Sequence, residues 1–412
     1  MKSFKKLAAI TVLGFCASGA ASAGGLYITE TSNSADIPYG GINFLARAND
    51  ASTVFTNPAG MTRFKQTEKL LGGQLLYLKA PFRPDGNNTV SGHRGSASEF
   101  LPSGNFAYVK PLNDQWSFGL SAHNYFGLGL NWGSSWTGRY SGNQAIIIAP
   151  QIQPTVAYKL NDAWSVGVGL GLTLGYLKDK VRISTPVPGD GKFRYSDTDF
   201  AVQPNLGLMY EPSENTRIGL RYLMETHLDF EDDPEITGAS GGDFDVAGKL
   251  DLGVVMPQQI LAGVWQRVSD DWAVLGSVGW EDWSRFGQIQ VKITETTIDD
   301  TVKIATEDTW HIGIGAEYQA STKLMYTMGA SWDSSWQRDK NRTPIVPIGT
   351  VWRLGGGIKY EKSEDFTWGG GLSIFYEGDL PIKPVDTSHD GTLSGKYSNA
   401  VLYWASLYAS WR

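Results

Sequence analysis

The segment from Trp164 to Tyr176 alternates strictly between large apolar residues and small or polar ones. Its even positions hold Trp, Val, Leu or Tyr, and its odd positions hold Gly, Ser or Thr. Successive side chains of a β-strand point to opposite faces, so this strand has one apolar face that begins and ends with an aromatic residue. Such a face is typical of a strand that contacts lipid and ends at two membrane interfaces. The pattern recurs at 310–319, 324–333 and 352–361, which predicts an all-β transmembrane barrel.

The spacing of turn residues predicts how many strands the barrel has. Short turns such as Asn113-Asp114 and Asn161-Asp162 alternate with longer polar connections such as 184–197. We interpret the short connections as periplasmic turns and the long ones as outer loops. The sequence then predicts fourteen antiparallel strands at 67–80, 100–111, 115–131, 144–160, 163–183, 197–211, 215–230, 247–267, 271–292, 303–319, 322–337, 349–361, 366–380 and 397–411.

Residues 1–23 have the pattern of a secretory signal peptide. A basic start is followed by an apolar stretch from Leu7 to Ala17 and by the small residues Ala21-Ser-Ala23. The apolar stretch is too short for a helix that crosses about 30 Å of hydrocarbon, which argues against a membrane anchor. Phe15 precedes Cys16 where a lipoprotein has a small residue. Because Cys16 is the only cysteine, we expect a mature chain without disulfides or thiol chemistry.

Composition and motifs exclude several classes of function. The formal net charge of −7 argues against nucleic acid as a partner. The five histidines have no metal-ligand spacing, and no nucleophile elbow is present. The segment 167–171 is rich in glycine, but the strand alternation explains it better than a phosphate loop does. We therefore expect no catalytic residues, no cofactor and no metal.

The segment from residue 24 to 64 does not fit the barrel pattern. It lacks sustained alternation and is rich in Ala, Gly, Ser and Asn. It is either a flexible tail or a plug inside the lumen. A barrel of fourteen strands is wide enough to need filling or to conduct water.

Several motifs, in this order and spacing, resemble the FadL family of outer-membrane transporters for long-chain fatty acids and aromatic hydrocarbons. The segment 46–61 contains Asn57-Pro58-Ala59, which is similar to the Asn-Pro-Ala motif of the family's N-terminal hatch. Further similar segments are 113–120, 136–140, 154–167, 219–222, 256–257 and 280–286. The resemblance spans essentially the whole mature chain. One departure is the final Arg412, which follows Trp411 where outer-membrane barrels usually end on an aromatic residue.

The resemblance implies a signal peptide at 1–23, a hatch or plug at 24–64 and a transmembrane barrel at 65–412. It implies passive uptake of hydrophobic molecules across the outer membrane of a Gram-negative bacterium. Substrate would bind near the outer loops and leave sideways through a kink in the third strand. By position this kink falls at His123, Asn124, Tyr125, Phe126 and Gly127. The residues are compatible with such a kink, but without the resemblance they favour an ordinary strand that passes into a glycine-containing outer loop.

Two sets of residues are candidates for contact with substrate. Trp132, Trp136, Tyr140, Ile146 and Ile148 could form an apolar groove, or they could belong to the aromatic girdle at the membrane interface. Arg221, Arg353 and Lys359 lie on predicted inward faces and could anchor a carboxylate. The alternative for these three cations is an internal salt-bridge network with Glu225, Glu317 and Glu361.

The expected partners follow from this assignment. They are a hydrophobic small molecule, outer-membrane lipid and lipopolysaccharide, with no nucleic acid, and the chain is expected to be a monomer. The acidic segment 231–235 is interpreted as a solvated loop tip or as a site of cation bridging to lipopolysaccharide. The alternative functions are a general diffusion porin and a surface receptor or adhesin.

Overall fold

The computed structural model describes residues 26–27, 32–42, 45–184, 189–239, 242–245, 249–293, 298–387 and 391–412. The predicted signal peptide lies outside these residues. In chain order the strands are β1 (Glu68–Lys79), β2 (Phe82–Pro84), β3 (Glu99–Pro111), β4 (Trp116–Asn131), β5 (Gln144–Lys159), β6 (Trp164–Ile183), β7 (Gly191–Ser213), β8 (Thr216–Leu223), β9 (Thr226–Asp232), β10 (Glu235–Ala239), β11 (Gly242–Asp245), β12 (Leu250–Met256), β13 (Gln259–Arg267), β14 (Trp272–Glu281), β15 (Gln288–Ile293), β16 (Ile298–Lys303), β17 (Thr309–Gln319), β18 (Leu324–Asp333), β19 (Val351–Ser363), β20 (Phe366–Asp386) and β21 (Thr392–Trp411).

Fourteen of these strands close into one antiparallel barrel, as the alternation predicts. The barrel closes where β1 pairs with β21, from Lys69 opposite Trp411 to Lys79 opposite Val401. The order around the wall is β1, β3, β4, β5, β6, β7, β8, β13, β14, β17, β18, β19, β20 and β21. No helix in the described ranges is long and apolar enough to cross a membrane.

The short connections are tight turns that asparagine side chains organise. The Asn113 side chain accepts hydrogen bonds from the backbone N–H groups of Gln115 and Trp116, at 2.9 and 2.8 Å. Asn161 does the same for Ala163 and Trp164. Asparagine favours such turns because its side-chain oxygen replaces a backbone acceptor.

Four of the predicted strands are interrupted, and this part of the prediction was wrong. The predicted strands at 215–230, 247–267, 271–292 and 303–319 each break on the outer side of the barrel. Pro257 separates β12 from β13 because proline has no N–H for the ladder. A helical turn, α2 (Trp283–Phe286), separates β14 from β15. Beyond the breaks, β9, β12, β15 and β16 form a separate four-stranded sheet.

The described residues of the N-terminal segment, 26–27, 32–42 and 45–64, lie inside the lumen and are mostly buried. Within it are two 3₁₀ turns, Ile37–Tyr39 and Pro58–Arg63, and the helical turn α1 (Thr53–Thr56). Its polar groups bind inward-facing residues on many strands. Ser34 lies 2.9 Å from Asn105 on β3, and the Tyr39 hydroxyl donates to Glu317 on β17 at 2.7 Å. We call this segment, residues 24–64, the hatch.

Candidate functional site

The predicted hatch motif is a capped turn at the barrel wall. The Asn57 side chain caps the 3₁₀ turn that begins at Pro58, and its oxygen accepts from the Ala59 N–H at 3.3 Å. Its amide nitrogen donates to the carbonyl oxygens of Leu45, at 2.8 Å, and of Leu208 on β7, at 3.1 Å. Asn57 is fully buried. One side chain therefore ties two parts of the hatch to the wall.

The wall beneath this turn has no room for a side chain. A Cβ atom at Gly207 on β7 would lie 2.3 Å from the Asn57 side-chain oxygen and 2.9 Å from the Ala59 nitrogen. A Cβ atom at Gly167 on β6 would lie 2.4 Å from the Pro58 carbonyl carbon. The motif can contact the wall this closely because the wall residues beneath it are glycines, which have no side chain.

The residues 123–127, predicted to form a kink, lie at an irregularity in β4. The register between β4 and β5 shifts between Asn124 and Gly127, which is the signature of a β-bulge. Gly127 has a φ of +124°, a conformation that favours glycine. Tyr125 and Phe126 are adjacent and both buried, so the alternation of faces fails here.

The pairing of β3 with β4 ends beside this bulge, and we call this break in the ladder the gap. β3 and β4 pair only from Phe106 opposite Ala122 to Pro111 opposite Ser117 in the described residues. Above Ala122, the free edge of β4 meets the hatch instead. Tyr27 forms a β-bridge with Phe126, and the Gly127 N–H donates to the Leu26 carbonyl oxygen at 3.0 Å.

Five aromatic side chains pack around this contact, and of these the sequence analysis assigned only Phe126 to a site, the predicted kink. Neighbouring ring centroids lie 5.2 to 6.3 Å apart. We call them the aromatic cluster: Tyr27, Phe126, Trp283, Phe286 and Trp336. The signal for two of them was the three-residue spacing of Trp283 and Phe286, which fits one face of a helical turn. Together they form an apolar region at the outer end of the lumen.

Polar contacts also reach the aromatic cluster, where the Trp283 indole N–H donates to the Glu281 carboxyl group at 2.6 Å. The Tyr27 hydroxyl donates to the Pro257 carbonyl oxygen at 2.7 Å and accepts from the Gln203 amide at 2.9 Å. Burial raises the pKa of the Tyr27 hydroxyl above its ordinary value, so it stays neutral. The two Tyr27 hydrogen bonds fix the first described hatch residues.

The predicted groove residues do not come together on one surface. Trp132 and Trp136 stack with ring centroids 5.7 Å apart, and Trp136 is 1% exposed. Tyr140 donates to Asp190 at 2.8 Å, in an outer-loop cluster. Ile146 and Ile148 alternate with buried residues of β5 and lie on its outward face.

The three predicted cations occupy different surroundings. Arg221 donates to the Phe55 carbonyl oxygen of the hatch at 3.3 Å and to the Gln259 side chain. Arg353 pairs with the buried Asp333. Lys359 lies 3.4 Å from Glu361, beside a cavity of about 300 Å³ at the periplasmic end.

The predicted salt-bridge partners of these cations have other contacts as well. Glu317 accepts from Tyr39 and from the Trp265 indole, at 2.7 and 3.0 Å. Glu225 pairs with Arg285 at 3.1 Å. The pair of Lys359 and Glu361 is the one member of the suggested network that forms among the described residues.

A buried hydrogen-bonded chain in the wall has the atom order of a hydrolase triad. Ser277 Oγ lies 2.9 Å from His311 Nε2, and His311 Nδ1 lies 2.9 Å from Asp333. The chain continues through Arg353 to Ser331, whose hydroxyl donates to the Gly40 carbonyl oxygen of the hatch at 2.7 Å. It therefore holds the hatch to the wall. No group of His, Cys, Asp or Glu in the described part of the chain is arranged to bind a metal.

The model of the family described as outer membrane protein transport protein (OMPP1/FadL/TodX) matches residues 14–410. The chain is 24% identical to the long-chain fatty acid transport protein of Escherichia coli O6:H1 over 369 residues, which cover 80% of this chain and 82% of that protein. It is also 24% identical over 410 residues to outer membrane protein P1 of Haemophilus influenzae, with coverage of 87% and 88%.

Solved structures show the same fold. A FadL homologue of Pseudomonas aeruginosa superposes with a TM-score of 0.78 at 18% identity, covering 92% of this chain and 98% of that one. The Pseudomonas putida toluene transporter TodX gives a TM-score of 0.69 at 17% identity, with coverage of 91% and 99%. These proteins are transport channels and not enzymes. The chain belongs to the FadL and TodX family of transport proteins, which are β-barrels of the Gram-negative outer membrane that carry hydrophobic substrates.

Proposed function

We propose that this protein takes up hydrophobic molecules passively and releases them sideways, through the gap between β3 and β4, into the membrane. The observation that carries the proposal is the combination of a hatch bonded to the wall with a gap in the wall beside it. The hatch is bonded to opposite parts of the wall, which closes the route straight through the barrel. The hatch residues Leu26 and Tyr27 bond to the edge of β4 beside this gap.

Substrate first binds at the aromatic cluster. Burial of apolar surface contributes about 25 cal/mol per Å², so an oily molecule needs few polar contacts to bind there. The five rings already bury one another, and an aromatic or aliphatic substrate replaces part of those contacts. The groove suggested for Trp132, Trp136 and Tyr140 remains a prediction for the earlier collection of substrate at the outer loops.

Release then requires movement of a short segment. A substrate that displaces Tyr27 breaks one β-bridge and the hydrogen bond from Gly127 to Leu26. The Asn57 turn and the Tyr39 contact, which hold the body of the hatch, are separate from that segment. The gap then leads from the lumen to the lipid. No energy source is needed, because an apolar molecule moves downhill from water into hydrocarbon.

The substrates named for the relatives are fatty acids and monoaromatic hydrocarbons, and both classes fit an apolar site. Of the three candidate anchors for a carboxylate, Arg221 suits that role best. It bonds a hatch carbonyl oxygen and an amide, whereas Arg353 and Lys359 already pair with carboxylates. Arg221 also lies with its guanidinium 5.1 Å from the Tyr125 ring centroid, at the bulge itself.

We also propose that residues 1–23 are cleaved on export, that the mature chain is a monomer, and that it contacts lipopolysaccharide. The signal-peptide pattern and the closed barrel support the first two statements. The third is developed in the next subsection.

The decisive pair of measurements is conductance in a planar bilayer and binding of an apolar fluorescent probe. A plugged transporter conducts little and binds the probe, and the probe is displaced by toluene or by a fatty acid. A high steady conductance without probe binding would identify a general porin. Low conductance without probe binding would favour a receptor or adhesin.

A further inference from the structure

The outward face of β6 changes from apolar to basic along its length. From Trp164 to Tyr176, each outward residue is apolar and alternates with a buried inward residue. The next three outward residues are Lys178, Lys180 and Arg182. Twelve residues at about 3.3 Å per residue and a tilt near 45° give a height of about 28 Å, which matches the hydrocarbon layer. The cations therefore begin where the lipid headgroups of the outer leaflet begin.

The neighbouring strand repeats this change. On β7 the outward residue Phe200 is 73% exposed and marks the edge of the apolar belt. Further out on the same face lie Arg194 and Lys192. The register places Lys180 opposite Arg194 and Arg182 opposite Lys192. Two pairs of like charges thus face each other directly.

Such pairing destabilises a sheet unless an anion joins it. Within the described residues, Arg194 has a carboxylate partner, Glu235 on β10, at 3.5 Å, and both side chains are about half exposed. Lys178, Lys180, Arg182 and Lys192 have no ion-pair partner there. Nearby Asp190 is engaged by Arg139 at 2.8 Å. The outward patch therefore carries an excess of positive charge.

We propose that Lys178, Lys180, Arg182, Lys192 and Arg194 form a binding site for the phosphate groups of lipopolysaccharide in the outer leaflet. The inference rests on the membrane location and on the lipopolysaccharide contact proposed above. Adjacent strands are about 4.8 Å apart and alternate residues about 6.7 Å apart, so the patch measures roughly 5 by 13 Å. An area of that size accommodates a phosphorylated sugar headgroup while its acyl chains lie on the apolar belt below.

The chemistry of the five side chains suits a phosphate. Arginine binds phosphate oxygens bidentately, and lysine acts as a compact point charge. The phosphate removes the repulsion between opposed cations and gains several charge-assisted hydrogen bonds. A protein that delivers oily molecules sideways is thereby anchored to the lipid around β6 and β7, which lie two and three strands from β4.

The test uses the full-length mature protein, purified in detergent and freed of lipopolysaccharide. Binding is titrated with lipopolysaccharide, with phosphatase-treated lipopolysaccharide and with inorganic phosphate. The variant Lys178→Gln/Lys180→Gln/Arg182→Gln is compared with a matched control, Lys159→Gln/Lys323→Gln/Lys362→Gln, whose lysines lie at the periplasmic turns.

We call the triple variant at 178, 180 and 182 the β6 variant. We expect intact lipopolysaccharide to bind it at least tenfold more weakly than it binds the wild type. We expect the affinity of the control variant for intact lipopolysaccharide to stay within twofold of the wild-type affinity. We expect the phosphatase-treated lipid to bind the wild type as weakly as intact lipid binds the β6 variant. Equal binding of both lipids to the wild type, or equal binding of intact lipid to wild type and β6 variant, overturns the proposal. Inorganic phosphate that binds as tightly as the lipid overturns the assignment to lipopolysaccharide.

Two controls keep the outcomes separate. The heat-induced mobility shift of the barrel on a gel reports folding, and if the β6 variant fails to fold, the comparison of the two lipids on the wild type decides the proposal alone. Binding of an apolar probe to the same samples reports the proposed transport function. Loss of probe binding with retained phosphate-dependent lipid binding would count against transport and not against this site.

Discussion

The backbone of Tyr27 pairs with that of Phe126, and their rings meet edge-on with centroids 5.4 Å apart. Tyr27 belongs to the hatch and Phe126 to the bulged part of β4. The first described residues of the plug thus complete the barrel wall where β3 and β4 separate. One small contact therefore lies at both the aromatic cluster and the gap.

Removing the Asn57 side chain is expected to loosen the hatch. Asn57→Ala loses two buried hydrogen bonds to carbonyl oxygens, each with a net contribution of about 0.5 to 1.5 kcal/mol. We expect a lower thermal unfolding temperature and a higher bilayer conductance. Asn87→Ala, in an exposed loop turn, is the matched control. If Asn57→Ala has wild-type conductance, Asn57 does not hold the hatch in place.

A side chain at Gly207 is expected to push the hatch motif away from the wall. Gly207→Ala places a Cβ atom 2.3 Å from the Asn57 oxygen, and overpacking of this kind typically costs about 1 to 3 kcal/mol. Gly73→Ala is the control, because nothing lies within 4 Å of a Cβ atom there. Conductance and thermal stability are measured for both. If the two variants have the same conductance and thermal stability, the close contact between Gly207 and the hatch motif does not hold the hatch.

The sequence predicted the barrel well because every second residue of a membrane-spanning strand contacts lipid and is therefore apolar. Leu170, Leu172 and Leu174 are exposed between buried neighbours, as their positions predict. The breaks on the outer side were missed because the strands leave the lipid there and the constraint ends. Trp283 and Phe286 lie in the mostly polar segment 281–287, and only their spacing of three indicates the helical turn.

The candidate site was harder to predict because it is assembled over long separations. Tyr27 and Phe126 are 99 positions apart, and Trp336 belongs to a loop beyond β18. No local pattern indicates that these rings meet. Ile146 and Ile148 were grouped with Trp136 because they are close in sequence. They lie on the outward face of β5, however, whereas Trp136 is buried. Periodicity predicts which face a residue occupies and does not predict its partners across the lumen.

Truncation of Trp283 is expected to weaken binding of aromatic substrates. The Trp283 ring contacts Tyr27, Phe286 and Trp336 and is fully buried. Trp283→Ala should reduce the affinity for toluene about tenfold or more, measured by displacement of an apolar probe. Trp283→Phe should retain most of the binding. Trp352→Ala, on the lipid-facing surface, should leave affinity unchanged, and an equal loss there would argue against the aromatic cluster.

Replacement of Arg221 is expected to separate acidic from neutral substrates. Arg221→Gln keeps a donor near the Phe55 carbonyl oxygen and removes the charge. A charge-assisted contact contributes about 1.5 to 3 kcal/mol, so affinity for a fatty acid should fall about tenfold or more while affinity for the matched fatty alcohol stays constant. The same loss for both ligands would show that Arg221 only supports the hatch.

The most direct test of lateral release locks Tyr27 to the wall. Tyr27→Cys/Phe126→Cys joins the two bridged positions by a disulfide, and the opposed wall pair Gln74→Cys/Ser406→Cys is the control. Cells that express each protein are assayed for uptake of a radiolabelled hydrocarbon before and after reduction. We predict that uptake through the hatch-lock variant is at least tenfold lower when it is oxidised than when it is reduced, and that oxidation makes no difference to the control pair. Equal uptake through the oxidised and the reduced hatch lock would contradict the account.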